Sequence, residues 1–275
     1  MAGAGVSLLA DILASKAREI DGLRAAPRTP AAHAPCDVRG ALRRGASLRL
    51  VAEVKLQSPS AGSLSRALTP PARAVAYARA GASMVSVLCD GPFFGGAWAD
   101  LSACRAALDA AGLGAPLLAK EFVLDRRQIE EARDRGADAV LLIARILAPD
   151  PGALPRLVRA ARDEGLEPLV EVVDDEELQR ALEAGARLVG VNARDLDSLA
   201  MDAARAARVL ESVPAGAVAV HLSGLKSAAD VARVAAGRAD AALIGEALMR
   251  QDDPTALLSQ LVAAARAVGA GPAQK

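Results

Sequence analysis

Several residue types are scarce in this 275-residue chain, and each scarcity excludes a class of protein. The three cysteines, Cys36, Cys89 and Cys104, are widely spaced and odd in number, which argues against a disulfide framework and a structural zinc site. No apolar run is long enough to span a bilayer, and the N-terminus lacks the basic segment of a secretory signal. We therefore expect a protein of the reducing cytoplasm that neither crosses a membrane nor is secreted.

Net charge is also absent, because 33 Lys and Arg residues match 33 Asp and Glu residues. This balance predicts neither nucleic acid nor a membrane surface as a partner, so any anion must be bound by a local site. Lysine itself is rare, since only five of the 33 basic residues are Lys. Two of them, Lys55 and Lys120, end apolar segments, VAEVK and PLLAK. Because Arg cannot release a proton at neutral pH, the presence of Lys at both positions favours a role in proton transfer.

Short apolar runs alternate along the chain with segments whose apolar residues recur at helical spacing. The runs predict eight strands, near residues 48–55, 83–88, 116–120, 138–143, 167–172, 187–192, 216–222 and 240–245. The other segments predict helices near 70–81, 98–111, 126–136, 151–164, 175–184, 226–236 and 254–268, with a shorter helix after the sixth strand. Strands this apolar are typical of a parallel sheet covered by helices.

A helix that runs into a Gly-Ala step and then a strand recurs about every fifty residues. The copies are GASMVSVL from Gly81, GADAVLLI from Gly136, GARLVGVN from Gly185 and a degenerate RADAALIG from Arg238. They fall on alternate strands, which favours a barrel, and no GxGxxG motif supports an open dinucleotide-binding sheet. We predict an α/β fold with a single (βα)8 TIM barrel over residues 48–275. Residues 1–47 should form an N-terminal helical extension. It is either a frayed terminus or a cap over the end of the barrel, or a lid over the substrate.

Polar side chains end four of the predicted strands. Glu53 and Lys55 end the first, Lys120 the third, Glu171 the fifth and Asn192 the sixth. The reactive groups of such barrels collect at the C-terminal ends of the strands, so we expect these residues to share one rim. A carboxylate beside ammonium groups in a partly dry pocket can supply a general acid and a general base. For Glu53 and Lys55 alone, a buried ion pair without a catalytic role is the alternative.

Two loops of the same rim predict a phosphate site. Ser223 and Gly224 follow the seventh strand, and Gly245 and Glu246 follow the eighth and lead into a short helical segment, ALMR. Barrels often bind phosphate at this pair of loops, with backbone amides and a helix N-terminus. The alternative for Gly245 is a glycine that only ends its strand.

Five stretches of the chain resemble indole-3-glycerol phosphate synthase in their order and spacing. They are VAEVKLQSPSAGSL, SVLCDGPFFGGAWADL, LLAKEFVLDRRQIEEARDRGADAVLLIARIL, LVEVVDDEELQRALEAGARLVGVNARDL, and SGLKSAADVA with ALIGEALMRQDDP. The resemblance covers nearly the whole chain and implies a barrel enzyme of tryptophan biosynthesis that uses neither metal nor cofactor. That family closes the indole ring of 1-(2-carboxyphenylamino)-1-deoxyribulose 5-phosphate, with loss of carbon dioxide and water. The implied partners are this phosphorylated small molecule and other tryptophan-pathway enzymes.

The resemblance also implies roles for individual residues. Lys120 resembles the general acid that protonates the substrate carbonyl, and Glu171 resembles the base of the dehydration step. Glu53 would organise the lysines, and Lys55 would contact the anionic substrate. Asn192 and Arg194 would position the anthranilate part, and Phe94 and Phe122 match the aromatic wall around its ring. Ser58 begins the Ser-Pro-Ser loop over the site and would bind substrate there. For the two Phe residues, and for Phe122 especially, ordinary core packing is the alternative.

The largest departure from the family is Leu222, since a Glu normally precedes Ser-Gly at this point. His221 should not replace that carboxylate, because strand alternation turns residue 221 toward the helices. Ala193, where a second Asn is common, and Glu121, where Asp is common, are milder changes. With Lys120 and Glu171 in place, we expect activity at a reduced rate or with altered substrate preference. A Schiff-base aldolase and a non-catalytic relative that binds a phosphorylated aromatic ligand remain alternatives.

Overall fold

The computed structural model of the protein describes residues 8–29, 31–59, 62–196 and 198–269, and a closed parallel barrel lies at its centre. The barrel strands are β1 (Arg49–Val54), β2 (Met84–Leu88), β3 (Leu117–Lys120), β4 (Ala139–Ile143), β5 (Glu167–Val172), β6 (Leu188–Asn192), β7 (Val218–Leu222) and β8 (Ala241–Ile244). Each strand pairs with its sequence neighbours, and β8 closes the ring on β1. The predicted (βα)8 barrel is confirmed, and every predicted strand ends within two residues of the observed one.

Helices surround the barrel and precede it. They are α1 (Leu8–Ala25), α2 (Val38–Leu42), α3 (Pro70–Arg79), α4 (Trp98–Ala110), α5 (Arg126–Asp134), α6 (Ala144–Leu147), α7 (Ala153–Asp163), α8 (Asp175–Glu183), α9 (Ala203–Ser212), α10 (Ala228–Ala235), α11 (Glu246–Met249) and α12 (Thr255–Gly269). The sequence missed α2 and α6, because a helix of about one turn shows no apolar periodicity. Within the described residues, no helix has both the length and the apolar character needed to cross a membrane.

The Gly-Ala repeat marks the points at which helices end. Gly136 has a φ of 84°, in the left-handed region that glycine enters without a steric penalty. The amide of the next residue, Ala137, donates to the carbonyl of Ala132 at 3.0 Å, which closes the last turn of α5. Gly81 and Gly185 have φ values of 99° and 87° and end α3 and α8 in the same way. The repeat therefore returns the chain to β2, β4 and β6, as predicted.

The segment before β1 runs along the barrel from one end to the other. Helix α1 packs on α5, where Arg127 donates to the carbonyls of Leu23 at 2.9 Å and Ala26 at 3.2 Å. Further along, the amide of Cys36 donates to Asp138 Oδ1 at 2.7 Å, just before β4 begins. Residues 1–7 of the predicted extension lie outside the described residues.

The barrel strands are almost fully buried, so the polar side chains at their ends lie in an environment that usually contains apolar residues. All five residues are buried in β2, β4, β6 and β7, so both faces of the barrel wall are shielded from water and most of their side chains are apolar. Glu53, Glu171 and Asn192 are nevertheless only 2%, 2% and 8% exposed. Three buried polar side chains at one rim need partners, because an unpaired buried charge is costly. Those partners define the site.

Candidate active site

A cavity opens at the C-terminal ends of the barrel strands, and all thirteen residues predicted for the site line it. They are Glu53, Lys55, Ser58, Phe94, Lys120, Phe122, Glu171, Asn192, Arg194, Ser223, Gly224, Gly245 and Glu246. Ser58 belongs to a short antiparallel pair, Gln57–Ser58 with Gly62–Ser63, while Ser60 of the Ser-Pro-Ser motif lies outside the described residues. Strand ends far apart in the sequence thus meet in one cavity.

Glu53 and Lys55 form an ion pair at the end of β1. Lys55 Nζ lies 2.8 Å from Glu53 Oε1, as expected for side chains that share a strand face. Burial acts to raise the pKa of Glu53, but the ammonium groups of Lys55 and Lys120 outweigh it and lower that pKa, so the carboxylate is ionised. The other oxygen, Oε2, is buried and has no hydrogen-bond donor among the described residues. It is available to a bound ligand.

One ion pair and a series of hydrogen bonds connect the ends of β3, β5, β6 and β7. Lys120 Nζ lies 3.6 Å from Glu171 Oε2, and Asn192 Nδ2 donates to Glu171 Oε1 at 2.8 Å. Asn192 Oδ1 accepts from the Ser223 hydroxyl at 2.6 Å and from the Arg194 amide at 2.9 Å. Because Oδ1 accepts twice, the amide nitrogen of Asn192 must face Glu171. The carboxylate is therefore held in one orientation beside the ammonium group.

An apolar wall faces this chain of polar groups. The rings of Phe94 and Phe122 are 6.0 Å apart and inclined by 38°, an arrangement typical of an aromatic pair. Leu9 and Ile12 of α1 also line the cavity. The sequence did not assign these two residues to the site, since nothing in their own segment shows which end of the barrel α1 covers. A planar apolar ligand could be bound here.

The two predicted phosphate loops are adjacent. Ser223 and Gly224 have φ values of 64° and 87°, so consecutive left-handed residues form the tight turn after β7. Gly245 precedes α11, and Lys226, which the sequence did not single out, also lines this side of the cavity. The Glu246 side chain bonds Arg250 at 2.8 Å, and this hydrogen bond lowers the pKa of Glu246. The Arg250 guanidinium thereby offsets the negative charge of this carboxylate, so the backbone amides of the two loops remain available to bind an anion.

Gly245→Ala is expected to lower activity strongly, because the backbone of Gly245 lies close to the Glu53 carboxylate. A Cβ at this position would lie 2.5 Å from Glu53 Oε1, so the carboxylate would have to move away from Lys55. We expect kcat/KM to fall about tenfold or more, because displacement of a positioned group by about 1 Å is costly. Steady-state kinetics measures this. Gly114→Ala is the matched control, since a Cβ there meets no atom of the described residues within 4 Å; an equal loss in both variants would contradict the prediction.

Leu222 and His221 point in the directions that strand alternation predicts. Leu222 lines the cavity and lies over Gly190, where an added Cβ would be 2.6 Å from Leu222 Cδ1. His221 instead lies between α9 and α10, and its burial lowers the pKa of the imidazole. The histidine therefore does not replace the missing carboxylate, and position 222 presents an apolar side chain to the cavity.

Introducing the missing carboxylate as Leu222→Glu is expected to destabilise the protein. Lys55 and Lys120 already pair with Glu53 and Glu171, so a carboxylate buried at position 222 would have neither of these ammonium groups as its own partner. We expect the free energy of unfolding at neutral pH to fall by about 3 kcal/mol, measured by urea titration. The uncharged Leu222→Gln is the control and should lose less. The difference in the free energy of unfolding between the Glu and Gln variants should narrow near about pH 5, because a buried carboxyl is protonated there. A difference of the same size at neutral pH and near about pH 5 would contradict the prediction.

One group of side chains elsewhere has the composition of a metal site. The donor atoms of His33, Cys36 and Asp138 lie within 4.8 Å of one another, at the opposite end of the barrel. Hydrogen bonds already occupy this carboxylate: Oδ1 accepts from the Cys36 amide at 2.7 Å and Oδ2 from the Leu117 amide at 2.7 Å. A structural zinc site uses four ligands, and this group offers three. We therefore assign it a structural role, as the contact that fixes the segment before β1.

Comparison with known proteins identifies the family. The family model described as "Indole-3-glycerol phosphate synthase" matches residues 9–261. The chain belongs to the indole-3-glycerol phosphate synthase family. An indole-3-glycerol phosphate synthase of Micrococcus luteus is 41% identical over 260 residues, which cover 93% of this chain and 94% of that protein. Another, from Beutenbergia cavernae, is 44% identical over 232 residues, or 84% of this chain and 82% of that protein.

Solved structures extend the likeness in fold beyond the indole-3-glycerol phosphate synthase family. A crystal structure of 3-hexulose-6-phosphate synthase from Salmonella typhimurium superposes with a TM-score of 0.57 and 19% identity, covering 80% of this chain and 100% of that one. At this identity the match shows the shared barrel and carries nothing about activity. The residues of the cavity, and not the fold, are therefore the basis for assigning chemistry to this chain.

Proposed function

We propose that Lys120 and Glu171 carry out the proton transfers of the indole-3-glycerol phosphate synthase reaction in this chain. As a member of the family, the protein is a carboxy-lyase of tryptophan biosynthesis that acts on a phosphorylated small molecule. The observation that supports the residue roles is the Lys120–Glu171 pair, 3.6 Å apart at the cavity, with Asn192 bonded to the carboxylate. An acid and a base placed side by side, one of them held in orientation, are what the reaction requires.

Ring closure is the step assigned to Lys120. The aromatic carbon that bears the carboxyl group attacks the substrate carbonyl carbon, and Lys120 Nζ donates a proton to the carbonyl oxygen as the new bond forms. Loss of carbon dioxide then returns an electron pair to the ring. An ammonium group suits this step because it is a compact donor whose proton can leave, whereas a guanidinium stays protonated.

Dehydration is the step assigned to Glu171. The hydroxyl group left by ring closure departs as water, and the neighbouring carbon loses a proton to the Glu171 carboxylate, which completes the indole ring. The hydrogen bond from Asn192 Nδ2 to Oε1 leaves Oε2, the oxygen near Lys120, for this transfer. Lys120 has given up its proton in ring closure, so it is reprotonated from solvent before its ammonium group supplies the proton that the departing hydroxyl takes.

The remaining residues of the cavity fit the parts of the substrate. Glu53 orients Lys55 and Lys120, and Lys55 meets the negative charge of the substrate. Phe94, Phe122 and Arg194 surround the anthranilate ring, and Ser58 binds substrate from the Ser-Pro-Ser loop over the site. Ser223, Gly224, Gly245 and Glu246 bind the phosphate, mainly through the backbone amides of the two loops. No metal or cofactor is needed for any of these steps.

Three further proposals concern the whole chain. Residues 1–47 act as a cap on a catalytic barrel formed by residues 48–275, and the two make one structural unit, since α1 contributes to the cavity wall. The protein works in the cytoplasm, which is supported by the free thiols of Cys36, Cys89 and Cys104. Other tryptophan-pathway enzymes are its macromolecular contacts, whereas the neutral net charge favours neither nucleic acid nor membranes.

Turnover of 1-(2-carboxyphenylamino)-1-deoxyribulose 5-phosphate by the wild-type chain tests the proposal, with indole fluorescence as the signal. We expect product formation without added metal and in the presence of a chelator. Binding of the substrate without turnover would instead favour a non-catalytic relative. Trapping of a ketose phosphate on lysine by borohydride would favour a Schiff-base aldolase.

A further inference from the structure

The most deeply buried lysine of the described chain lies outside the proposed catalytic set, on helix α1. The side chain of Lys16 is 0% exposed, and its ammonium group lies 2.7 Å from Asp90 Oδ1 and 3.1 Å from Glu121 Oε1. Asp90 follows β2, and Glu121 follows Lys120 at the end of β3. The side chains of these two acids are 0% and 1% exposed. A single cation from the segment before the barrel thus joins two strand ends.

The same two carboxylates hold the backbone of the aromatic wall. Asp90 Oδ2 accepts from the amides of Phe93 at 2.8 Å and Phe94 at 2.9 Å. Glu121 Oε1 accepts from the amide of Phe122 at 2.7 Å. Each carboxylate therefore pairs with Lys16 and also accepts from the amide of the residue that presents an aromatic ring to the cavity.

Helix α1 itself completes this wall. Leu9 and Ile12 precede Lys16 by seven and four residues, spacings that place all three on one helix face. Leu9 and Ile12 line the cavity together with Phe94 and Phe122. The ion pairs of Lys16 thus fix the position of the helix and of both rings at the same time.

Anchoring a helix does not by itself require a buried charge. A well-packed apolar residue would serve as well, since the desolvation of buried ions offsets much of their attraction. Burial raises the pKa of Glu121 to about 7, although the Lys16 ammonium, which also lies 2.8 Å from Glu19 Oε2, acts against this rise. What the charged group provides, and an apolar contact would not, is a fixed orientation for carboxylates that bond main-chain amides.

We propose that Lys16 is a positioning residue for recognition of the anthranilate ring, acting through Asp90 and Glu121 on Phe94 and Phe122. The inference rests on the proposed function, because it takes the aromatic part of the substrate to be bound at this wall. Lys16 does not touch substrate in this arrangement. Its removal should therefore weaken binding of the ring and leave binding of the phosphate unchanged.

Two phosphorylated ligands, one with the anthranilate ring and one without it, separate binding of the ring from binding of the phosphate. One is the alcohol formed by borohydride reduction of the substrate ketone, which keeps the anthranilate ring but cannot cyclise; the other is glycerol 3-phosphate. We expect Lys16→Met to raise the dissociation constant of the first about tenfold, as for loss of a good aromatic contact, and that of the second less than about twofold. KM for substrate should rise correspondingly, with kcat changed less than about threefold. Arg18→Met is the matched control on the exposed face of α1 and should change neither constant.

A role confined to folding gives a different result. Equal weakening of both ligands, or no weakening of either, in folded Lys16→Met would overturn the proposal. If that variant does not fold, Glu121→Gln decides, since it keeps Lys16 and can still accept from the Phe122 amide; selective weakening of the aromatic ligand by about threefold supports the proposal, and an unchanged affinity overturns it. Because binding is measured directly, a wild-type chain that binds the alcohol without turning over substrate would defeat the proposed function and leave this test intact.

Discussion

Lys120→Ala is expected to lower kcat by a factor of about 10³, while the substrate still binds. The proton that reaches the carbonyl oxygen during ring closure has no other donor as well placed, because Lys55 is paired with Glu53 at 2.8 Å. Among the described residues, no ion pair joins Lys120 to the phosphate loops or to the aromatic wall, so KM should change much less than kcat. Indole fluorescence under saturating substrate measures the loss, and denaturant unfolding checks that the barrel is intact.

Lys120→Arg distinguishes proton transfer from simple charge. Arginine keeps the positive charge beside Glu171 and Glu53, but its proton does not leave at neutral pH. We expect this variant to remain folded and to be nearly as slow as Lys120→Ala. Recovery of activity to within about tenfold of wild type would mean that electrostatic stabilisation of the oxyanion, and not proton donation, is the main contribution of this residue.

The residues at the rim of the barrel could be predicted from the sequence because the pattern that indicates them lies within single strands. Glu53, Lys120, Glu171 and Asn192 each end an apolar strand, and closure of a parallel barrel brings all strand ends to the same face. The inward direction of Leu222 and the outward direction of His221 followed from alternation alone, and the structure has both. Once the barrel is recognised, neither result requires knowledge of particular side-chain contacts between distant segments.

The contribution of the segment before β1 could not be predicted, because it depends on tertiary contacts. Lys16 precedes its partners Asp90 and Glu121 by 74 and 105 residues, and no pattern within α1 indicates them. One signal was present: Lys16 stands four residues from both Ile12 and Ile20, on the apolar face of its helix, in a chain with only five lysines. A rare lysine on a buried face implies a buried carboxylate somewhere, but not which one.

Glu171→Gln is the second change expected to have a large effect, with formation of indole slowed by a factor of about 10²–10³. The substitution keeps the shape of the side chain, and its carbonyl oxygen can still accept the 2.8 Å hydrogen bond from Asn192. What it removes is the basic oxygen that takes the proton during dehydration. The ammonium of Lys120 is not altered, so ring closure and loss of carbon dioxide should proceed.

Release of carbon dioxide and formation of indole therefore respond differently to the two substitutions. In a single turnover with enzyme in excess, Lys120→Ala should slow both signals together, because it acts before carbon dioxide is lost. Glu171→Gln should release carbon dioxide well ahead of indole, with a decarboxylated, hydrated intermediate present in between. If both signals fell together in Glu171→Gln, the carboxylate would be acting in ring closure as well, most simply by orienting Lys120 across the 3.6 Å that separates them. The order of the two signals thus assigns a step to each member of the pair, which the loss of kcat alone could not do.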